Sequence, residues 1–280
     1  MLAKSLRFNG SLTFLDLHDN KLGKEFGSMF AAVLKRNTSL TDIDLRLNGF
    51  REEVTAEFAE AIAYNETLTS FDFSENEFDD DALETISQRI GTDSVFSSIT
   101  LRNNEMHSSG GKAVAAALET NTTLTNVDFS GNIIGPSAGR AFGIALRNPL
   151  TKLRRINLRG CMIGAKGAQA IALSLENNHV VLSLDLENND MCVEGVKSIA
   201  LALETNASVT SINLAMNKMG ADGGEYMAAA LVMNSTLTSV NLRGNKIGTD
   251  AGVAIATELE VRRMFHRPGL LRLTPFFDFR

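Results

Sequence analysis

The chain has 280 residues, of which 44% are hydrophobic and 21% are charged, a composition typical of an ordinary soluble globular protein. Its formal net charge of −6 argues against nucleic acid as a partner, because phosphate binding needs a basic surface. No apolar run approaches the roughly eighteen residues of a transmembrane helix, and the amino terminus lacks the features of a secretory signal, so we expect no membrane span.

The first predicted element, in chain order, is a partial one. Leu6 and Asn9 have the same spacing as Leu34 and Asn37 further along the chain. Residues 1–9 are therefore interpreted as the end of a helix from an incomplete repeat unit.

The first complete unit begins near residue 12 and reads as one strand followed by one helix. Leu15 and Leu17 alternate with polar residues, which indicates a short strand. The next apolar residues recur at helical spacing, as Gly27, Phe30, Ala31 and Leu34. The position of Ala31 is small in every unit, and we expect it to let the helix approach the strand layer closely, where a larger side chain would overpack.

The same unit recurs along most of the chain with the pattern L-x-x-L-x-L-x-x-N. Nine units start near residues 12, 40, 68, 96, 124, 153, 181, 209 and 237. The spacing is 28 residues except at one step, where Asn148-Pro149-Leu150 adds a residue. Such a strict period predicts a solenoid. We expect residues 1–261 to form a single repeat domain.

Asparagine recurs at two places of the repeat unit. Asn20 and its equivalents follow the strand, where the side-chain amide is expected to satisfy backbone groups of the turn. Cys161 takes this place in the sixth unit. Asn37 and its equivalents end the helix, where we expect a left-handed capping conformation. Several of them form N-x-S/T sequences, which we interpret as helix caps rather than glycosylation sites.

The carboxyl-terminal residues 262–280 depart from the pattern and are basic. They form either a cap, in which apolar side chains cover the last strand, or an aberrant or disordered tail of a longer protein. The capping side chains would be Phe265, Leu270, Leu273 and Phe276. Uncapped solenoid ends expose strand edges, so self-association is expected to be possible.

Two segments carry a resemblance to a known family, residues 239–248 (SVNLRGNKIG) and 162–172 (MIGAKGAQAIA). Over roughly residues 1–260 the chain resembles the ribonuclease-inhibitor-like class of leucine-rich repeats. This resemblance implies an α/β fold, a right-handed horseshoe solenoid with a parallel β-sheet on the concave face and helices on the convex face. The class includes ribonuclease inhibitor, NOD-like receptor sensing regions and Ran GTPase-activating protein, most of which hold a partner protein.

The side chains beside the strands are the expected recognition surface of such a solenoid. Exposed apolar residues next to charges suggest interface anchors and a charged rim, and Arg102, Arg155 and Arg159 suit an acidic partner segment. Aspartate recurs after the second apolar position, which we interpret mainly as a preference of the repeat. The predicted partner-binding residues are Phe14, Asp16, His18, Asp42, Asp44, Arg46, Leu47, Asp72, Glu75, Arg102, Asn103, Arg155, Arg159, Glu187, Met216 and Arg243.

No catalytic, metal-binding or cofactor-binding motif is recognised. The four histidines lie in different units without a second ligand at metal-binding spacing, and the glycines recur with the repeat rather than in a phosphate-binding loop. Cys161 and Cys192 are expected to be reduced, buried and inert. The sequence therefore predicts a cytoplasmic, non-enzymatic protein-interaction scaffold that uses no cofactor. The alternatives are a GTPase-activating or other enzyme-regulatory protein, and the sensor portion of a NOD-like receptor.

Overall fold

The computed structural model describes residues 5–91, 95–264 and 272–273, and within them short strands alternate with helices. The strands are β1 (Phe14–Asp16), β2 (Asp42–Asp44), β3 (Ser70–Asp72), β4 (Ser98–Thr100), β5 (Asn126–Asp128), β6 (Arg155–Asn157), β7 (Ser183–Asp185), β8 (Ser211–Asn213), β9 (Ser239–Asn241) and β10 (Arg272–Leu273). The helices are α1 (Gly23–Leu34), α2 (Glu52–Tyr64), α3 (Asp80–Ile90), α4 (Ser108–Leu118), α5 (Gly135–Ala145), α6 (Gly164–Leu175), α7 (Cys192–Thr205), α8 (Gly220–Met233) and α9 (Gly248–Met264).

The chain divides into two compact units. The first comprises Met1–Ile134 and Leu150–Leu153, and the second comprises Gly135–Pro149 and Arg154–Arg280. Within the first unit, β1 to β5 pair in parallel and in chain order. Within the second unit, β6 to β10 do the same. The predicted α/β solenoid of parallel strands is confirmed in each unit.

The strand register follows the sequence period directly. Ile43 pairs with Phe71 and Phe71 with Ile99, each step covering one 28-residue repeat. The central side chain of these strands is buried, whereas the residues on either side remain at least partly exposed. Each strand therefore contributes one side chain to the core and two to an outer surface, as expected for alternating side chains.

Phenylalanine fills the core of the first unit. The Phe58 ring lies 5.2 Å from the Phe50 ring and 4.8 Å from the Phe73 ring, centroid to centroid, and all three side chains are fully buried. Such ring pairs add about 0.5–1.5 kcal/mol to the stability that the burial of their apolar area supplies. The core of the second unit is mainly aliphatic, with buried Ile171, Ile199, Leu203 and Leu231.

Within each unit, buried asparagines form a ladder of hydrogen bonds between neighbouring repeats. The Asn217 amide nitrogen donates to the carbonyl oxygens of Leu186 in the preceding repeat (2.8 Å) and Leu214 in its own (3.1 Å). Its side-chain oxygen accepts the backbone N–H of Asn189 (2.9 Å). Equivalent bonds are made by Asn48, Asn76, Asn189 and Asn245. The prediction that this amide satisfies backbone groups of the turn is confirmed.

The asparagines that end the helices are extended, so the expected left-handed cap is wrong. Asn206 has φ −68° and ψ 126°, and Asn65 and Asn234 are similar. The Asn206 side-chain oxygen accepts the N–H of Val209 (2.8 Å), while its amide donates to the Leu175 carbonyl of the preceding repeat (2.7 Å). Because the side chain bridges two repeats, it replaces the backbone cap that an isolated helix would need.

The helical place of Ala31, which is small in every repeat, faces a different neighbour from the one expected. A β-carbon added at Gly143 would lie 2.5 Å from the backbone carbon of Ala170 in the adjacent helix α6. Ala172 and Ala200, at the same place in later repeats, are buried. At Gly143 the small residue therefore sets the spacing between neighbouring helices, rather than the distance from helix to strand layer.

The two cysteines differ in their surroundings. Both are free, but Cys161 is buried whereas Cys192 is exposed, so the expectation of two buried thiols is wrong for Cys192. Cys192 has φ 54° at a place where Gly164 and Gly220 have φ 63° and 64°. The left-handed backbone at the start of the helix, which favours glycine, thus fixes this side chain on the surface.

The end of the chain adds one strand that the sequence analysis did not place. Helix α9 extends to Met264, and Arg272–Leu273 pairs in parallel with Ser239 and Val240. Three of the four predicted capping residues, Phe265, Leu270 and Phe276, lie outside the described residues. None of the helices in the described part of the chain combines the length and hydropathy that a bilayer crossing requires.

Candidate functional site

The aspartates and asparagines that end the strands have a structural role. Each accepts, through its side-chain oxygen, the backbone N–H two residues later, as Asp72 does from Ser74 (2.9 Å) and Asn241 from Arg243 (3.1 Å). The same bond forms in other repeats of both units. This Asx turn needs an oxygen acceptor and no charge. The turn thus accounts for the recurrence of aspartate or asparagine at this place, but it does not require the negative charge of aspartate.

In the first unit, that additional charge is concentrated on three strands. Asp16 pairs in register with Asp44, and Asp44 with Asp72. Burial raises the pKa of Asp44 above its ordinary value, and the neighbouring carboxylate of Asp72 raises it further. Hydrogen bonds from His18 lower the pKa of Asp16. The column therefore carries like charges close enough to influence one another.

His18 joins this column, a proximity that the sequence analysis missed. Its Nδ1 lies 2.6 Å from Asp16 Oδ1, and possible ligand atoms of Asp16, His18 and Asp44 all lie within 4.8 Å of one another. This donor set is chemically compatible with a divalent metal ion. The Arg46 guanidinium lies 3.0 Å from Asp44 Oδ2, however, and already neutralises that carboxylate.

One residue of every repeat adopts the left-handed backbone conformation, immediately before the ladder asparagine or Cys161. Its φ lies between 48° and 74° throughout. Polar residues and glycine fill most of these places, but two are apolar and exposed, Leu47 (40%) and Met216 (48%). This conformation costs a residue with a β-carbon roughly 1–2 kcal/mol. The series comprises Asp19, Leu47, Glu75, Asn103, Gly131, Gly160, Asn188, Met216 and Gly244.

Met216 is held over the glycine of the next repeat. A β-carbon at Gly244 would collide with the Met216 sulfur, so the absence of a side chain there makes room for the methionine. Met216 thus has a defined position on the surface although nearly half of it is exposed. A positioned, exposed apolar side chain has the character of an interface anchor.

The predicted residues of the first unit lie beside its strands and in the turns that follow them. We call this surface the first strand face. Phe14 is its most exposed apolar side chain (58%), and Arg102 lies 3.9 Å from Asp128, measured from Nε to Oδ2. The predicted members are Phe14, Asp16, His18, Asp42, Asp44, Arg46, Leu47, Asp72, Glu75, Arg102 and Asn103.

The predicted residues of the second unit form the second strand face, which comprises Arg155, Arg159, Glu187, Met216 and Arg243. Arg159 forms an ion pair with Glu187 (3.2 Å). The Asn213 amide donates to both Glu187 and Asp185, at 3.0 Å each. Burial raises the pKa of Asp185 above its ordinary value. Sequence reasoning missed this network because its members lie in three different repeats.

The predicted basic group of three arginines spans the two units. Arg102 belongs to the first unit, whereas Arg155 and Arg159 belong to the second. Arg102 and Arg159 each have an acidic neighbour, Asp128 and Glu187 respectively. Within the described residues, these two arginines therefore act first on side chains of their own unit.

Comparison with family models decides the affiliation of the chain. Six segments match the model described as leucine rich repeat, residues 64–87, 120–143, 150–172, 177–200, 205–228 and 234–256, which together make up just over half of the chain. The chain belongs to the leucine-rich-repeat family. No curated protein sequence matches it.

One solved leucine-rich-repeat structure supports the same fold, and a second match is weaker. The leucine-rich-repeat-containing protein LegL7 from Legionella pneumophila is 22% identical, with a TM-score of 0.52, and the match covers 84% of this chain and 74% of that one. The tropomodulin C-terminal domain of Caenorhabditis elegans is 10% identical, with a TM-score of 0.42, over 63% of this chain and 90% of that one. The likeness to LegL7 concerns the fold alone.

Proposed function

We propose that this leucine-rich-repeat protein binds a partner protein through the side chains of its strand faces, without catalysing a reaction. The leucine-rich repeat indicates a protein-interaction module. The strand side is the one that the ribonuclease-inhibitor-like class makes concave and uses for recognition. We further propose that residues 1–261 act as one repeat domain and that the protein works in the cytoplasm, as its cysteine content suggests.

The observation that carries this proposal is the placement of Leu47 and Met216. At the same place, five of the other seven repeats have glycine or asparagine, which tolerate the left-handed conformation better, and the remaining two have Asp19 and Glu75. Leucine and methionine gain little for the fold there, because roughly half of each side chain stays exposed. Strained residues of this kind are typical of functional sites. An apolar partner surface that covers them would supply the compensating free energy.

Site-specific photocrosslinking tests the proposal in the source cells. A benzophenone amino acid replaces Leu47 in one version of the full chain and Met216 in another. Matched controls carry it at Leu173 and Leu201, which are similarly exposed but lie on helices. We expect a specific protein adduct from at least one of the two strand-face positions, and few adducts from the helix positions. Adducts from the helix positions alone would overturn the proposal.

A further inference from the structure

We infer, building on the proposed function, that the first strand face selects a basic segment of its partner protein. Lysine or arginine side chains of that segment would meet the carboxylates of β1 to β3 and their turns. An apolar side chain between them would cover Phe14 and Leu47.

The balance of charge on these three repeats is strongly negative. The strand-face positions carry one guanidinium, that of Arg46, which is already bonded to Asp44. Neighbouring strands lie about 4.8 Å apart, well within the Debye length of about 8 Å at physiological salt, so the carboxylates act together. Those carboxylates belong to Asp16, Asp19, Asp42, Asp44, Asp72 and Glu75.

The carboxylates of neighbouring strands also repel one another. Burial is the main cause of the raised pKa of Asp44, to which the charges of Asp72 and Asp16 add, whereas the backbone N–H and the guanidinium of Arg46 lower it. A cationic group that approaches this surface relieves the repulsion in addition to forming new ion pairs. An acidic partner would increase the repulsion, so the surface discriminates between partners by charge.

Apolar and acidic groups alternate on the same face. Phe14 is directly opposite Asp42 in the strand register, and Leu47 lies in the turn that follows Asp44 and Arg46. Phe14 and Leu47 are 58% and 40% exposed. This arrangement fits a segment in which an apolar residue is flanked by basic ones. The second strand face differs, since Arg155, Arg159 and Arg243 outnumber its acids.

A divalent metal ion is the rival occupant of the acidic end of this face. The cluster of Asp16, His18 and Asp44 offers three ligand atoms. The geometry favours the peptide, because Arg46 already bonds Asp44 and because Nδ1 of His18 is engaged with Asp16. A metal ion also leaves Phe14 and Leu47 uncovered.

The first step of the test compares peptide probes on the full chain. Three fluorescent peptides have the same length and the same leucine content, with lysine and arginine, glutamate, or glutamine at the remaining places. Fluorescence anisotropy measures their binding with and without EDTA, at low and at physiological salt. We expect the basic peptide to bind at least ten-fold more tightly than the acidic one. Its affinity should fall with added salt and be insensitive to EDTA.

The second step removes charge without disturbing the turns. In the variant Asp16→Asn, Asp44→Asn, Asp72→Asn, each new amide keeps the oxygen acceptor that Asn157, Asn213 and Asn241 already provide in other repeats. Since an exposed ion pair is worth up to about five-fold in affinity, we expect the basic peptide to bind about ten-fold more weakly. The matched control Glu57→Gln, Glu84→Gln, Glu119→Gln changes the net charge equally on exposed helix-side residues. It should bind within about two-fold of the parent chain.

The outcomes separate this inference from the proposed function. Equal affinity for acidic and basic peptides would overturn charge selection, and so would equal losses in the two triple variants. Binding that disappears in EDTA would assign the site to a metal ion instead. In each case, photocrosslinking from Leu47 would still decide whether the face binds a protein.

Discussion

The change Asn217→Ala tests whether the asparagine ladder joins the repeats. Asn217 is fully buried and bonds both to its own turn and to the preceding repeat. Two of its own-repeat acceptors keep other partners after the change, since Leu214 still accepts from Asn245 and Ala215 from the Asn188 N–H. The carbonyl of Leu186 and the N–H of Asn189 lose their bonds to Asn217, whereas the N–H of Met191 loses only a long contact of 3.5 Å.

The expected cost follows from these two backbone groups. A buried group left without its hydrogen bond costs about 1–3 kcal/mol, so Asn217→Ala should lower the free energy of unfolding by about 2–6 kcal/mol. Asn20→Ala is the matched control. Its amide donates only to Leu17 and His18 of its own exposed turn, and Leu17 also accepts from Asn48. We therefore expect Asn20→Ala to cost about 1 kcal/mol or less.

Urea-induced unfolding, followed by far-ultraviolet circular dichroism, measures both variants against the parent chain. The midpoints are comparable if the dependence on denaturant is unchanged. If Asn217→Ala lowers the midpoint no more than Asn20→Ala does, the ladder does not tie the repeats together and the reasoning is refuted.

Three further predictions follow from the backbone conformation and the charge of the turns. Cys192→Gly should raise the melting temperature by about 2–4 °C for each kcal/mol of backbone strain that it relieves. Gly220→Ala should lower the melting temperature through backbone strain alone, because the added β-carbon meets nothing within 4 Å. Shifts of the same sign in both variants would contradict this prediction. Met216→Asn should change the free energy of unfolding by less than about 1 kcal/mol. The same variant should bind the partner at least ten-fold more weakly, as measured by titration calorimetry. Unchanged binding would show that Met216 is not an interface anchor. Asp44→Asn should be more stable than the parent at neutral pH, because folding raises the pKa of Asp44 and so disfavours its charged form. That gain should shrink as the pH falls through the raised pKa, and urea titrations across pH showing a constant gap would contradict the assigned cause.

The repeat period is sufficient to predict the fold. A fixed interval of 28 residues forces equivalent side chains into register, as the pairing of Ile43 with Phe71 shows. The ladder asparagine was equally readable, since it recurs at one place after each strand. These features depend on the local pattern and on its repetition, which are both visible in the sequence.

Features that depend on the neighbouring repeat were harder to predict. Asn206 looked like a left-handed cap, but its side chain bonds the Leu175 carbonyl of the adjacent repeat and leaves the backbone extended. The left-handed place of Leu47 and Met216 has no residue signature, because its occupants range from glycine to methionine. Its conformation is imposed by the turn, which only the structure reveals.

The strand-face residues could be enumerated from the repeat, but their interactions could not. The approach of His18 to Asp44 and the hydrogen bond from Asn213 to Glu187 both join different repeats. Such contacts depend on side-chain rotamers and on the distance between strands. Sequence spacing identifies the surface, and the structure identifies which charges on it are already neutralised.

Determining the structure of the chain bound to its crosslinked partner tests most directly whether the strand faces contact that partner. We predict that partner atoms lie within about 4 Å of Leu47 or Met216, the ordinary contact distance between apolar side chains. A complex in which the partner contacts only helix-side residues such as Leu173 and Leu201, with both strand faces left exposed to solvent, would contradict the account.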